Sequence, residues 1–283
     1  PQKTVFKFSA TSGMPTAGRS CCRQRSGEAG RFGEHGSVTL DSGRFGRFGL
    51  KTGRNALVAR PMLGTAIVVA FATAFMILFV DRPITYFVAE DLDPSIAAFF
   101  RALTEIGNGT VYMTASASFW LGFRWLAAQN ADPAVAERFK RISAYGAFAL
   151  TALLAAGAVA TILKHALGRF RPSLLLTDGV YGLAPLTFLP KSTSLPSGHT
   201  QVMWTVATIL VLLKPRIGLL LIPIAVLVGA SRVAINVHFL SDVLLGAYVG
   251  VLVPLLVYVA FFPRLGPAPE RLGQIRRILG LSP

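Results

Sequence analysis

The sequence predicts an all-α polytopic membrane protein, six transmembrane helices in a bundle with a disordered N-terminal arm, and three observations predict it. The chain of 283 residues is 53% hydrophobic and only 14% charged, with a mean hydropathy of +0.56, more apolar surface than a soluble core could hide. Its apolar residues fall in sparsely charged runs of about the length a bilayer demands, separated by charged loops. The remaining polar residues with chemistry to offer collect in three short segments at the ends of those runs. Cys21 and Cys22 are the two cysteines, and they are adjacent, so neither a disulfide framework nor a zinc site is implied.

In chain order, residues 1–61 form a basic arm rich in Gly, Ser, Arg and Thr. The arm repeats Gly-Arg-Phe-Gly at Gly30 to Gly33 and again from Gly43 to Gly49, and it carries no sustained helical or strand period. It is expected to be disordered, a leader without a fold or sequence upstream of a start near Met62. Interleaved arginines and aromatics also suit nucleic acid or anionic lipid, but no nucleic-acid partner is expected. A six-span domain is expected over residues 62–263. Leu63 to Val80 is its first span, stopped by Asp81-Arg82-Pro83. Asp93 caps a short amphipathic helix with Pro94 at its first position; Ile96, Phe99, Phe100, Leu103 and Ile106 follow at helical spacing, and Gly107 ends it. Thr110 to Ala127 and Ser143 to Leu163 make the second and third spans, rich in small residues that let membrane helices approach closely. Gly198 to Leu213, Ile217 to Ser231 and Leu240 to Phe262 complete the six, and residues 264–283 form a basic tail.

Loop charge orients the bundle. The arm, the Arg138-Lys140-Arg141 loop, Lys214-Pro215-Arg216 and the tail fall on one side if the spans alternate, and the positive-inside rule makes that side cytoplasmic. Both termini are then cytoplasmic, and the setting expected is a bacterial inner membrane with the polar segments on its periplasmic or extracellular side.

Those segments are Lys164 to Pro172 (KHALGRFRP), Pro196 to His199 (PSGH) and Ser231 to Asp242 (SRVAINVHFLSD). His238 and Asp242 are four apart, so on a helix they share one face, where a carboxylate can orient the imidazole as a nucleophile. A polar helix end capping itself at the membrane surface accounts for these two residues equally well, and the other segments break the tie. Lys164, Arg171 and Arg232 supply fixed positive charge for a tetrahedral oxyanion. Ser197 and Gly198 open a helix whose free N–H groups favour an anion, and His199 there is placed to protonate a departing oxygen. Double displacement through a phosphohistidine is the reaction described. Carboxylates after Glu137 are too few for a two-metal site, and neighbouring cations oppose a zinc on His199, His238 and Asp242. No metal and no cofactor is expected.

Lys164 with Arg171-Pro172, then Pro196-Ser197-Gly198-His199, then Ser231-Arg232 with His238 and Asp242, resembles the three-part signature of the type 2 phosphatidic acid phosphatases, whose superfamily includes the vanadium haloperoxidases. The resemblance departs from the pattern at no signature position. It implies a six-span lipid phosphatase with His238 as nucleophile, Asp242 as its partner, His199 as general acid, and Lys164, Arg171, Ser197, Gly198 and Arg232 on phosphate. His165, Arg169 and Lys191 lie outside the signature and are expected to be solvated or to face lipid headgroups. A phosphotransferase would use the same residues; a transporter would concentrate polar groups nearer the midplane. The partner expected is a membrane lipid phosphate: phosphatidate, phosphatidylglycerophosphate, undecaprenyl diphosphate or lipid A. The loop from Ser173 to Leu195, with Tyr181, Phe188 and Lys191, is expected to shape that choice. The oligomeric state is not legible.

Overall fold

The computed structural model describes residues 61–283 except 187, 188, 190, 263, 264, 266–272, 274, 278 and 280–283. The expected arm, Pro61 apart, most of the expected tail, and Phe188 lie outside the described residues. Among the described residues the chain is all-helical, with one isolated bridge between Arg169 and Leu183.

Helix α1 spans Pro61–Asp91 and includes a π-helical turn over Met76–Val80. The first span was expected to stop at Asp81-Arg82-Pro83, but the helix continues through it. A proline is tolerated in a helix's first turn, and the turn after the π segment restarts the ladder at Asp81. Helix α2 (Pro94–Thr104) begins as expected: the Asp93 carboxylate accepts the Ser95 N–H at 2.7 Å, with Pro94 at the first position. A 3₁₀ turn, Glu105–Gly107, leads to α3, Gly109–Gln129. Helix α4 runs 35 residues from Pro133 to Leu167, so Arg138, Lys140 and Arg141 occupy its first turns, where a loop was expected. Gly168, at φ 58°, ends it in the left-handed conformation. A short α5 (Pro172–Asp178) precedes a loop, and α6 (Gly198–Leu213), α7 (Pro215–Ala234) and α8 (Leu240–Phe261) complete the bundle.

Four of these helices, α1, α4, α7 and α8, are long and apolar enough to cross a membrane. Helix α6 is apolar but has 16 residues, about 24 Å of helix. Helix α3 has the length, at 21 residues, but its threonines, serines and Arg124 dilute it. Much of the apolar surface of α1 is uncovered among the described residues: Val68, Phe71, Leu78 and Phe79 are more than 60% exposed. That much bare hydrocarbon suits lipid, not water.

Helix α6 is the hub, packing against α4, α7 and α8. Phe148, Ala152 and Ala156, four apart on α4, meet Ile209 and Leu212 of α6 and Val249, Val253 and Val257 of α8 in one core. Close approach of α8 to α6 rests on two glycines. A Cβ at Gly246 would stand 2.6 Å from the Ser197 carbonyl oxygen, and one at Gly250 would stand 2.5 Å from that of Gln201. The C-terminal ends of α4 and α7 and the N-terminal ends of α6 and α8 thereby share one end of the bundle, with Asp81 of α1 reaching it from the side.

Candidate active site

The three polar segments converge there. Helix α7 ends just past Arg232, and the chain turns through Asn236, at φ 51°, so that the Val237 and His238 N–H groups both donate to the Arg232 carbonyl at 3.1 Å. His238 therefore precedes α8, and Asp242 sits in its first turn. The expected shared helix face for this pair is corrected: the two meet across a helix N-terminus. There the Asp242 Oδ2 also accepts the N–H of Phe239, the N-cap residue, at 2.9 Å. His238 Nδ1 lies 3.4 Å from Asp242 Oδ2, and both side chains are buried.

The second segment is stitched to the third. The Ser197 N–H donates to the Asp242 carbonyl at 2.9 Å, which seats the start of α6 beside the start of α8. Ser197 is fully buried, its Oγ accepting from Thr200 Oγ1 at 3.0 Å. Its N–H is already used, so the groups available to an anion are those of the first turn from Gly198 onward, which lack intrahelical acceptors. A Cβ added at Gly198 would stand 3.5 Å from Lys164 Nζ, which places the first segment's ammonium at that same turn. His199 follows on α6, packed against Gly107 of the 3₁₀ turn.

The cations divide in two ways. Arg232 Nη1 donates to Thr104 Oγ1 at 2.8 Å, while its Nε and that of Arg171 are buried with no hydrogen-bond partner. Orphaned guanidinium donors beside a helix N-terminus suit an anion that supplies the missing acceptors. Arg232 and Arg171 both act on His238: burial pushes its imidazole below the ordinary value, Asp242 pulls it back, and the two arginines push it down again. The net shift is downward, so the ring is neutral and nucleophilic at neutral pH.

Arg169 was expected to be solvated or to face headgroups, and the structure overturns that. It is 1% exposed and lies behind Asp242. Its Nη1 donates to Asp242 Oδ1 at 2.6 Å and to Ser241 Oγ, and its Nη2 donates to Asp81 Oδ2 at 2.7 Å and to Tyr181 Oη at 3.1 Å. Its Cζ stands 4.1 Å from the centre of the Phe239 ring. Burial opposes the guanidinium charge, but Asp242 and Asp81 outweigh it and hold its pKa above the usual value. Asp81 enters because of the π turn just before it. That turn also leaves the Ile77 carbonyl to accept the Tyr181 hydroxyl. The half-buried Tyr181 therefore directs its hydroxyl inward, to α1 and Arg169. Ser194 completes the cluster, donating to Asp242 Oδ2 at 2.5 Å.

Sequence reasoning missed Asp81, Ser194, Ser241 and Thr104 and misjudged Arg169. One signal was available for the last: an arginine in KHALGRFRP between two assigned cations. Lys191 is exposed as expected, and its carbonyl accepts the Arg171 N–H at 3.0 Å. His165 is half-buried on α4, next to Lys164.

Among the described residues the chain is all-helical, with helices suited to a bilayer and, at one end of the bundle, a buried His–Asp pair beside cations and a helix N-terminus, which marks it as a membrane protein. Residues 145–265 match the family model described as PAP2 superfamily; all three segments fall inside that range, and Asp81 falls outside it. Two curated relatives are described as lipid A 1-phosphatase. One, from Rhizobium johnstonii, is 32% identical over 120 residues, 42% of this chain and 49% of the relative. The other, from Rhizobium etli, is 31% identical over 120 residues, 42% and 52%. The chain spans about half the length of these relatives. A solved structure, the first transmembrane PAP2 type phosphatidylglycerolphosphate phosphatase from Bacillus subtilis, aligns at 23% identity and a TM-score of 0.48, over 70% of this chain and 94% of that one.

Proposed function

We propose that the protein is an integral membrane phosphatase that hydrolyses a lipid phosphate or diphosphate through a phosphohistidine, without a metal. The observation that carries this is His238, neutral and held by Asp242, facing two arginines with unsatisfied donors. In this reading the Nε2 lone pair of His238 attacks phosphorus, and the P–O bond to the lipid breaks. His199, entering the step as the imidazolium once the bound phosphate offsets the cations around it, gives its proton to the departing oxygen, and positive charge on His238 is balanced by Asp242. His199 then takes a proton from water as that water attacks the phosphohistidine and releases phosphate. Lys164, Arg171, Arg232, Ser197 and the N–H groups from Gly198 onward hold the phosphoryl oxygens.

Residues 62–263 would form the catalytic domain, with α3 and α6 making six spans and with residues 1–61 and 264–283 as arm and tail. The site would face the periplasmic or extracellular side of a bacterial inner membrane, both termini cytoplasmic. The relatives' description supports taking the lipid A class first among the four candidate substrates. Tails would stay among the helices while the headgroup enters the cationic pocket.

The test is phosphate release by purified protein in detergent micelles, with EDTA present, from phosphatidate, phosphatidylglycerophosphate, undecaprenyl diphosphate and lipid A. His238→Ala runs in parallel. Release from at least one lipid, lost by about 1000-fold or more in the variant, is expected. Release untouched by His238→Ala, or a requirement for added divalent metal, overturns the mechanism. No release by folded protein points instead to phosphotransfer to another lipid or to transport.

A further inference from the structure

We infer that Arg169, tethered by Asp81, is a positioning residue for the reaction: it fixes the Asp242 carboxylate so that Asp242 can align and charge-balance His238. The inference rests on the phosphatase reading above and assigns work to two residues outside the three segments' assigned set. One of them, Asp81, lies outside the matched domain as well.

Asp242 must present one oxygen to His238 Nδ1, and a carboxylate turns easily about its last torsion. Oδ1 is held by Arg169 Nη1 at 2.6 Å, so Oδ2 alone is left for His238, with Ser194 and the Phe239 N–H as its other donors. The guanidinium is itself held. Asp81 takes its second nitrogen at 2.7 Å, and Asp81 is in turn fixed by the Ser241 N–H at 3.1 Å and the Ser241 hydroxyl at 2.5 Å. The Phe239 ring lies against the guanidinium. A planar fork can bridge two carboxylates on different helices, and an ammonium cannot do so in fixed geometry.

Charge supplies the second argument. Arg169 alone would neutralise Asp242 and leave nothing to balance the positive charge that His238 acquires on attack. With Asp81 included, the buried trio carries one net negative charge, next to the nucleophile on which positive charge develops. A buried ion pair is by itself weak grounds for a role in stability, which leaves alignment and charge balance as the function to test.

The experiment compares Asp81→Asn, Arg169→Lys, Asp242→Asn and the double variant Asp81→Asn/Asp242→Asn on the lipid phosphate that wild type hydrolyses, with His238→Ala as the blank. Asp81→Asn is nearly isosteric, and Arg169→Lys keeps the charge while removing the fork. Expected are a kcat loss of about tenfold in the first and about 100-fold in the second, with KM within about twofold of wild type. Adding Asp81→Asn to Asp242→Asn should change nothing further, because its effect runs through Asp242. Additive losses, or losses confined to KM, overturn the proposal. Histidine ¹⁵N spectra in detergent read His238 without substrate, its signals assigned by their absence in His238→Ala. Wild type should hold the proton on Nδ1, with the signal moved in Asp81→Asn and the second tautomer admitted in Arg169→Lys. Identical His238 signals in all three sink the proposal even if no lipid is turned over, a result that would separately defeat the phosphatase reading.

Discussion

Behind His238 and in front of it the protein treats charge in opposite ways. Behind it, Asp81, Arg169, Ser241, Ser194 and Asp242 satisfy one another, each buried and each with named partners at hydrogen-bond distance. In front, Lys164 lies at the start of α6, and among the described residues Lys164, Arg171 and Arg232 have no carboxylate in a salt bridge with them and the Nε atoms of both arginines have no hydrogen-bond partner. A satisfied cluster is rigid and holds what it touches; an unsatisfied one has donors left for a ligand. In the proposed mechanism, the difference separates groups that orient the reaction from groups that bind what reacts.

If that division holds, breaking the front should cost far more than trimming the periphery of the back. Arg171→Gln is expected to lower kcat/KM about 100-fold, the size of a lost charge-assisted contact to phosphate. It should also shift the pH profile. The neutral ring attacks, so activity disappears as pH falls through the His238 pKa. Burial first, then Arg232 and Arg171, lower that pKa, so removing Arg171 raises it, and the acid-side loss should begin at higher pH than in wild type. An acid limb that stays in place or moves down would contradict the coupling between front and nucleophile.

The boundary between the regions is sharpened by Gly107→Ala. A Cβ there would stand 2.9 Å from both His199 Cβ and Val228 Cγ1, so His199, the proposed general acid, must shift. A kcat loss of about tenfold is expected with KM little changed; unaltered kinetics would mean that His199 tolerates displacement and does not transfer the proton. The smallest effect belongs to the periphery of the back. Tyr181→Phe removes the hydroxyl's bonds to the Ile77 carbonyl and Arg169 but keeps its ring against Phe239, 5.4 Å away at 89°. Thermal unfolding in detergent should show a loss of about 1 kcal/mol, with kcat within about threefold of wild type. A larger kinetic loss would move Tyr181 from support to alignment.

Legibility followed the same division. Helix starts at Pro94 and Gly198, the expected helices and the front cations could be read because hydropathy, capping and motif spacing act over a few residues. The back could not. Asp81 after an apolar run looks like the point where a span meets water, and α1 instead carries it past a π turn into the bundle. Arg169 pairs with a residue 88 positions upstream and another 73 downstream, distances at which local pattern carries no information. The Ser173 to Leu195 loop was legible as a loop, but not the inward turn of Tyr181.

By itself, then, the sequence determined an all-helical, bilayer-suited chain and a cluster of histidines and cations whose spacing resembles a phosphatase signature, because those properties are summed over neighbours along the chain. The tertiary structure decided which charges are buried, which are paired, and that His238 and Asp242 meet across the start of α8. Whether a charged side chain faces water or a partner depends on which helix ends pack together, and α1, α4 and α8 bring Asp81, Arg169 and Asp242 to one point from three distant parts of the chain.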